Sequence, residues 1–577
     1  MPERIVVLVA SAVYVVFAAR HVVGIGDSAE MAALSAHGGV AHPSGYPLFV
    51  LAMRLLAWLP TSAAHAAALT DALLGGISIA ALQWASRSWG ASRSASAVAS
   101  GIYALSPIAW EQATLPEVFV LNVAVAMTIV AVAGPLSLPW IRDETRLALL
   151  GLLAGLGLSN QLTVVLIAPV GLVAAVQAIR RSARPVRALA GGVACLALGL
   201  LPYAYLPFAA RTAPSECVWT RFDDVRTIVR HFLRSDYGTA SLAAYKGASD
   251  RAGQERLFAT SFAASLLWAP LLAGLPFGGW RPRRSTLLLV ATACVAGPLF
   301  VLLFNVGTQG NSVSIVRRFH LLGLALAAVL GARALTHLHA RAPRHAQVTL
   351  AFLFLVSVVR IAWNGMSPRP DTPTLEQYTA NVFRMLPPSS ILVVEADASV
   401  GAFMYAQCAE GQRPDVTTLV PRRLFAESYR ARTRQLTGID LVPVDGHLKA
   451  SDILGSALAT GRPVYLAEWF SPGLDQEFAS YPLGPLIRVV TKPEEMLDPS
   501  RLLRANDELF ARFTLESPRP IAGTQPASYY RDYARSWSLL ATAFAQRGRR
   551  DLADACDARA ADLAPSPEES FFGGVTE

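Results

Sequence analysis

Apolar residues along the chain come in runs close to the roughly 20 residues that a helix needs to cross the hydrocarbon core of a bilayer. Such runs occupy 5–23, 64–85, 95–110, 117–135, 188–208, 258–279, 285–304, 319–338 and 347–365. The stretch 147–179 is too long for one span, and Ser159-Asn160-Gln161 divides it into two short helices. The pattern predicts an α-helical polytopic membrane domain over residues 1–365 with about eleven spans. Two further segments are apolar without being long enough to span. Residues 46–59 predict a re-entrant or interfacial helix. Residues 222–237 place Val225, Ile228, Val229, Phe232 and Leu233 at helical spacing with arginines between, as in a helix lying in the interface plane.

After residue 366 the texture changes to that of a soluble protein. Short buried-strand patterns at 390–395, 413–420 and 463–468 alternate with helical runs such as 399–409, which predicts an α/β domain over 366–515. Residues 516–577 close the chain with two amphipathic helices that turn at Arg547-Gly548 and resemble one tetratricopeptide unit, and the residues after 566 read as disordered.

Composition agrees with the membrane reading: 53% hydrophobic and 16% charged residues, with a mean hydropathy of +0.39. The net charge of +9 does not indicate nucleic acid, because the cations form no basic stripe with interleaved aromatics. Every cation is arginine except Lys246, Lys449 and Lys492, a bias that points to a GC-rich, bacterial genome. The five cysteines are scattered without a CxxC pair, which supports neither a zinc site nor a disulfide framework. The first apolar run lacks a small-residue cleavage site and reads as an uncleaved span.

Arginine placement sets the orientation. Arg87 and Arg93, Arg142 and Arg146, Arg180 to Arg187, Arg281 to Arg284, and Arg341 with Arg344 fall in alternate loops, the cytoplasmic ones. The loop after the first span, the long loop 209–257 and everything after 366 are then extracytoplasmic, in the periplasm or outside a bacterial inner membrane. One short external loop breaks the rule by ending in Arg317-Arg318, a pair suited to a bidentate grip on a donor phosphate, or else to neutralising lipid headgroups or a neighbouring carboxylate.

Charged residues gather at the external ends of spans: Asp27, Glu30, His42, Glu111, Glu117, Arg211, Arg317 and Arg318. Interior ionisable candidates are few, chiefly Asp71 and Arg333. Chemistry at one membrane face fits this distribution better than a transporter or flippase for lipid-linked glycans, which would place such groups near the midplane. A scaffold that recruits partners through its C-terminal part is the third reading. Transfer of a sugar from a polyprenyl phosphate uses a carboxylate as general base and cations on the departing phosphate. Asp27 also fits a helix cap with Glu30 as its reciprocal partner, Glu117 a helix N-terminal carboxylate, and Asn122 an interhelical hydrogen bond.

Order and combination are more specific than any single residue. Gly26-Asp27-Ser28-Ala29-Glu30 and Ala41-His42-Pro43-Ser44-Gly45-Tyr46-Pro47 resemble the N-terminal signature of a polytopic membrane family formerly catalogued as a domain of unknown function. That family includes a vertebrate endoplasmic-reticulum protein O-mannosyltransferase of plexin-type receptors. Pro116-Glu117-Val118-Phe119-Val120-Leu121-Asn122, Tyr205 to Arg211, Trp219, Arg234-Ser235-Asp236-Tyr237-Gly238, and Tyr405 through Val416 continue the resemblance in family order. Phe119 stands in place of an expected tyrosine, and Asn160-Gln161 in place of a histidine-bearing pair.

The resemblance implies a GT-C fold with its active site on the external face. It further implies a polyprenyl-phosphate-linked hexose, mannose foremost, as donor, and a protein or envelope glycan as acceptor. It assigns the base to Asp27 with Glu30 in support; together with the placement of charges at the external ends, substrate contacts are expected at His42, Tyr46, Glu117, Asn122, Arg211, Tyr237, Arg317 and Arg318. No cofactor is expected; a divalent metal is compatible with such chemistry, but no residue cluster supports one.

Overall fold

The structure, a computed structural model, describes residues 2–239, 250–273, 284–309, 312–366, 371–425, 427–442, 448–468, 477–520 and 524–564. Part of the run 258–279 and the stretch after 566 lie outside the described residues. Contacts divide the chain into two compact units, each built from non-consecutive segments. The first holds Met1–Ala19, Ala41–Ala209 and Phe222–Pro368; the second holds Arg20–Val40, Ala210–Arg221 and Arg369–Glu577.

The first unit is helical. Among the described residues five helices are long and apolar enough to cross a membrane: Ala63–Ser88, Leu162–Arg181, Pro185–Thr212, Arg284–Val301 and Ser312–Arg341. Pro107–Thr114 and Val118–Ala133 make a sixth span if counted together, although they bend by 113° at Leu115-Pro116. Other apolar runs fold as shorter helices, such as Pro2–Val16 and Arg93–Ala104. Large apolar side chains point outward from this unit: Leu172, Val193 and Val348 are 63%, 59% and 70% exposed. Such a surface suits lipid and would be costly in water.

Where helices meet, small residues let the backbones close in. Gly151 and Gly155 of Asp143–Asn160 face Pro185–Gly199. A Cβ at Gly151 would sit 2.1 Å from the Gly192 carbonyl oxygen, and one at Gly155 2.2 Å from that of Leu196. This is the small-xxx-small packing of membrane helices, which gains contact and not water release. The short apolar segment 46–59 folds as the helix Pro47–Met53 followed by a 3-10 turn, Arg54–Leu56, with Leu55 and Trp58 exposed. The amphipathic helix is shorter than its apolar spacing predicts, Val225–Phe232, because Arg234 adopts a left-handed conformation two residues beyond its end.

The second unit is built on a five-stranded sheet of order β2-β1-β3-β5-β4. Its strands are β1 (Ile391–Val393), β2 (Thr417–Leu419), β3 (Val464–Leu466), β4 (Ala479–Leu483) and β5 (Leu486–Val490). β1 pairs in parallel with β2 and β3, and β5 antiparallel with β3 and β4. The first three are the strands that apolar runs predict. The β4–β5 hairpin escapes that reading because Pro482 and the Gly484-Pro485 turn interrupt its pattern. β4 is an edge strand, where a missing N–H is tolerated.

The helix Asp397–Cys408 links β1 to β2 and is buried along its length. Against it lies Ser28–His37 from the loop after the first apolar run, so close that a Cβ on Gly401 would sit 2.8 Å from that of Ala29. The start of this loop is also held, since Arg20 and His21 donate backbone N–H bonds of 2.9 Å to Asp371. The helices Gln525–Gln546 and Arg550–Leu563 follow in the second unit, the first burying Tyr529, Tyr533 and Trp537.

Cys217 and Cys408 form a disulfide across 191 residues, which overturns the reading that the cysteines support no such bond. No local spacing can announce a bridge of this length. A signal did exist in the topology, since both residues lie in segments read as extracytoplasmic, where disulfides persist.

Candidate active site

Asp27, Glu30 and Arg211 belong to the second unit; His42, Tyr46, Glu117, Asn122, Tyr237, Arg317 and Arg318 belong to the first. Asp27 occupies the N-cap position of Ser28–His37, yet its side chain makes no cap hydrogen bond. The residue is half-buried. Glu30, one turn further, is 9% exposed. Arg211 sits exposed in the last turn of Tyr205–Thr212.

In the first unit, two clusters form. One centres on the turn His42-Pro43-Ser44-Gly45-Tyr46. The Gly45 N–H donates to the His42 carbonyl at 2.7 Å, and Gly45 takes φ +90°, a conformation that favours glycine. Tyr46 follows in the left-handed region, φ 44°, as N-cap of Pro47–Met53. Its hydroxyl shares a 3.0 Å hydrogen bond with His42 Nε2. The Tyr237 ring lies edge-on to His42 at 6.4 Å, and the Arg234 guanidinium covers that ring at 5.0 Å. Three expected contacts, His42, Tyr46 and Tyr237, are thus brought together by a segment of the long loop 209–257.

The turn is latched from behind by residues that the motif reading passed over. The His231 Nε2–H donates to the Ala41 carbonyl at 3.1 Å, and the Tyr203 hydroxyl donates to that of Ser44 at 3.1 Å. His231 is held neutral: burial first, then the neighbouring His42, push its pKa down to about 3 against the bond to Ala41. Its position on the inward side of an amphipathic helix, among apolar neighbours, was the available clue.

The other cluster is electrostatic. Glu117, 1% exposed, starts Val118–Ala133, and both of its carboxylate oxygens accept from Arg318 Nη1 at 3.2 Å. The Arg318 guanidinium lies against the rings of Phe119 and Phe319, 5.2 and 5.7 Å from their centroids. Phe119, without the expected hydroxyl, offers this cation an aromatic face. The Glu117 N–H in turn donates to Asp71 Oδ2 at 2.9 Å, from the middle of Ala63–Ser88. Arg317, beside Arg318, is only partly buried and acts electrostatically on Glu111. Of the two adjacent arginines, then, Arg318 is committed to a buried carboxylate and Arg317 is the more accessible.

Asn122 lies one turn inward and donates to the Thr163 hydroxyl at 3.1 Å, while Asn160 donates to the Val118 carbonyl at 3.0 Å. Both tie helices together. Among the interior polar residues, Gln83 donates to Ser100 at 2.9 Å and Arg333 to Thr286 at 2.9 Å, again in helix packing.

Residues 27–183 match the family described as the protein O-mannosyl-transferase TMEM260 N-terminal domain. The chain is similar to the protein O-mannosyl-transferase TMEM260 of Mus musculus, 24% identical over 543 residues that cover 87% of this chain and 76% of the relative. It is also similar to the tmem260 protein of Dictyostelium discoideum, 25% identical over 238 residues, 38% of this chain and 28% of that one. Among solved structures, ArnT from Cupriavidus metallidurans in the apo state aligns with a TM-score of 0.52 and 13% identity, over 86% of this chain and 98% of ArnT. At that identity the likeness is one of fold alone. The same enzyme bound to undecaprenyl phosphate aligns with a TM-score of 0.46 and 14% identity, over 86% of this chain and 99% of ArnT.

Proposed function

We propose that this integral membrane glycosyltransferase moves a hexose, mannose foremost, from a polyprenyl-phosphate donor to a protein or envelope-glycan hydroxyl, a reading supported by the match of residues 27–183 to the TMEM260 protein O-mannosyl-transferase N-terminal domain, by the similarity to the Mus musculus relative and by the fold shared with ArnT. Transfer takes place on the extracytoplasmic face of a bacterial inner membrane, where the C-terminal unit also lies. Asp27 accepts the proton of the acceptor hydroxyl as its oxygen bonds to the sugar C1. The C1–O bond to phosphate breaks, and polyprenyl phosphate leaves with the electron pair. The observation that carries the assignment is the place of Asp27, a half-buried carboxylate at a helix N-cap and the first residue of the family-matched segment. Arg317 meets the donor phosphate, with the Arg318–Glu117 pair fixing the backbone beside it. The His42–Tyr46–Tyr237 cluster supplies aromatic faces and hydroxyls for a sugar.

The test is transfer from polyprenyl-phosphate-mannose by purified protein in lipid. Asp27→Asn is expected to lower kcat by about 10²- to 10⁴-fold, the usual worth of a positioned general base. Arg317→Ala should raise the KM for donor. Full transfer by Asp27→Asn beside a collapsed Arg317→Ala would remove the base assignment and retain the donor site. Movement of lipid-linked sugar across vesicles without transfer would favour the flippase reading instead. The engagement of Gln83, Arg333 and Asp71 in helix packing weighs against that reading.

A further inference from the structure

The second unit contains a cavity of about 490 Å³, walled by β2, the helices Asp397–Cys408 and Glu427–Thr437, and the Ser215–Cys217 turn. Its volume lies within the range of small-molecule sites, about 300–1,000 Å³. The residues that Glu427–Thr437 presents to it are Tyr429, Arg432, Thr433 and Leu436. These are the i, i+3, i+4 and i+7 positions, which are apolar where a helix simply closes a core. Here three of the four are polar.

Charge on the lining is unequal. Arg423, Arg432 and Arg462 face two carboxylates, Glu216 and Asp415. Asp415 is already answered by Arg413, outside the lining, through two hydrogen bonds of 2.8 Å, and by the Ser389 N–H at 3.0 Å. Glu216 is answered by Arg432 at 3.0 Å. Arg462 directs its donors to the Ser390 carbonyl and the Thr417 hydroxyl, both neutral oxygens. Arg432 retains a buried Nε–H with no hydrogen-bond partner among the described residues. A donor on a guanidinium in a cation-rich cavity calls for an anion. Along β2 the Thr417 hydroxyl, which accepts from Arg462, keeps its proton to donate, and the Thr418 hydroxyl, which donates to Gln407 Oε1 at 2.9 Å, keeps lone pairs to accept from a polar body.

We propose that this cavity binds a small polyhydroxylated anion, whose carboxylate or phosphate meets the Arg432 guanidinium while its hydroxyls meet the threonines of β2. The site needs no transfer chemistry and stands independently of the function proposed above. The Ser215–Cys217 turn forms one wall, and the Cys217–Cys408 disulfide holds that wall to the helix opposite.

The full chain in lipid nanodiscs is titrated calorimetrically with glucuronate, mannose 1-phosphate and neutral mannose. At least one of the two anions is expected to bind at least about tenfold more tightly than mannose, with affinity falling as salt rises; which of the two binds distinguishes carboxylate from phosphate. Arg432→Gln should weaken that anion about tenfold. Glu216→Gln should tighten it, because the competing carboxylate is gone. A purely structural Glu216–Arg432 pair predicts no gain on that substitution. Thr418→Val, which leaves the ion pair intact, should weaken binding severalfold and serves if Arg432→Gln fails to fold. Equal binding of mannose and both anions, no binding of either anion, or anion binding indifferent to Glu216→Gln and Thr418→Val would overturn the proposal.

Discussion

At Glu117 one residue answers two demands. Its carboxylate neutralises Arg318 and its N–H is received by Asp71, all in a region with almost no exposed surface. Breaking a buried ion pair by removing one partner costs about 3–5 kcal/mol, since the other charge stays buried. Glu117→Gln is therefore expected to destabilise the protein by that order in detergent thermal unfolding. A Glu117→Gln, Arg318→Met double variant should recover most of the loss. Independent, additive losses would show that the pair is not coupled. Asp71→Asn keeps an oxygen for the Glu117 N–H, whereas Asp71→Leu leaves that donor unsatisfied at about 1–3 kcal/mol. The sequence marked Glu117, Arg318 and Asp71 as residues of interest. It could not pair them, because they lie on three helices separated by up to 247 positions in the chain (318 − 71).

At the scale of elements, the His42–Tyr46 turn depends on the helix Val225–Phe232. His231 has its proton affinity depressed from about 6.5 in an open chain to about 3 in the fold. A depressed folded pKa contributes stability that is complete above the open-chain value and is lost as pH falls towards the folded one. Local opening of 41–46, followed by hydrogen exchange, should therefore increase steadily from pH 7 down to pH 4. A His231→Gln variant, with no titrating group there, should lose that dependence, and a pH profile unchanged by the substitution would dismiss the latch. Gly45→Ala meets two obstacles at once, a φ of +90° and a Cβ 3.0 Å from Leu206 and 3.1 Å from His231. Its expected result is loss of transfer with most helical circular dichroism retained. Between spans, Gly151→Leu should separate Asp143–Asn160 from Pro185–Gly199 and lower the thermal midpoint, because the intruding side chain meets backbone and not a movable side chain.

For the molecule as a whole, the second unit gathers two earlier segments, Arg20–Val40 and Ala210–Arg221, onto the C-terminal part of the chain. Val40 and Trp219 donate backbone hydrogen bonds to the carbonyls of Cys217 and Val40, each 2.9 Å, next to the disulfide. Cys217→Ser should leave the sheet folded and make the 210–221 segment more susceptible to limited proteolysis. Unchanged cleavage would mean that the backbone bridge and the Glu216–Arg432 pair hold it alone. The same unit carries a pH dependence of opposite sign to that of His231. Burial, with Glu468 nearby and Arg535 opposing, raises the Asp532 pKa to about 7. A raised folded pKa contributes stability that is complete below the open-chain carboxylate range and lost as pH rises through 7. Unfolding of this unit should then become easier between about pH 4 and 7, and Asp532→Asn should flatten the profile.

Sequence alone was enough for the membrane character, the change of texture near residue 366 and the strands β1, β2 and β3, and it marked the candidate residues, because each rests on local chemistry. Runs of apolar residues, alternation, and the motif order around Asp27 and His42-Pro43 are all legible within a few positions. What the tertiary structure decided was partnership. It assigned Arg318 to Glu117, joined Cys217 to Cys408, brought His231 behind the His42 turn, and packed the Asp27 helix on Asp397–Cys408. The partners stand far apart along the chain: 190 positions for His231 and Ala41, 191 for Cys217 and Cys408, and 201 for Arg318 and Glu117. Only close approach in space brings them together. Periodicity carries the direction in which a side chain faces, but not the identity of what stands opposite.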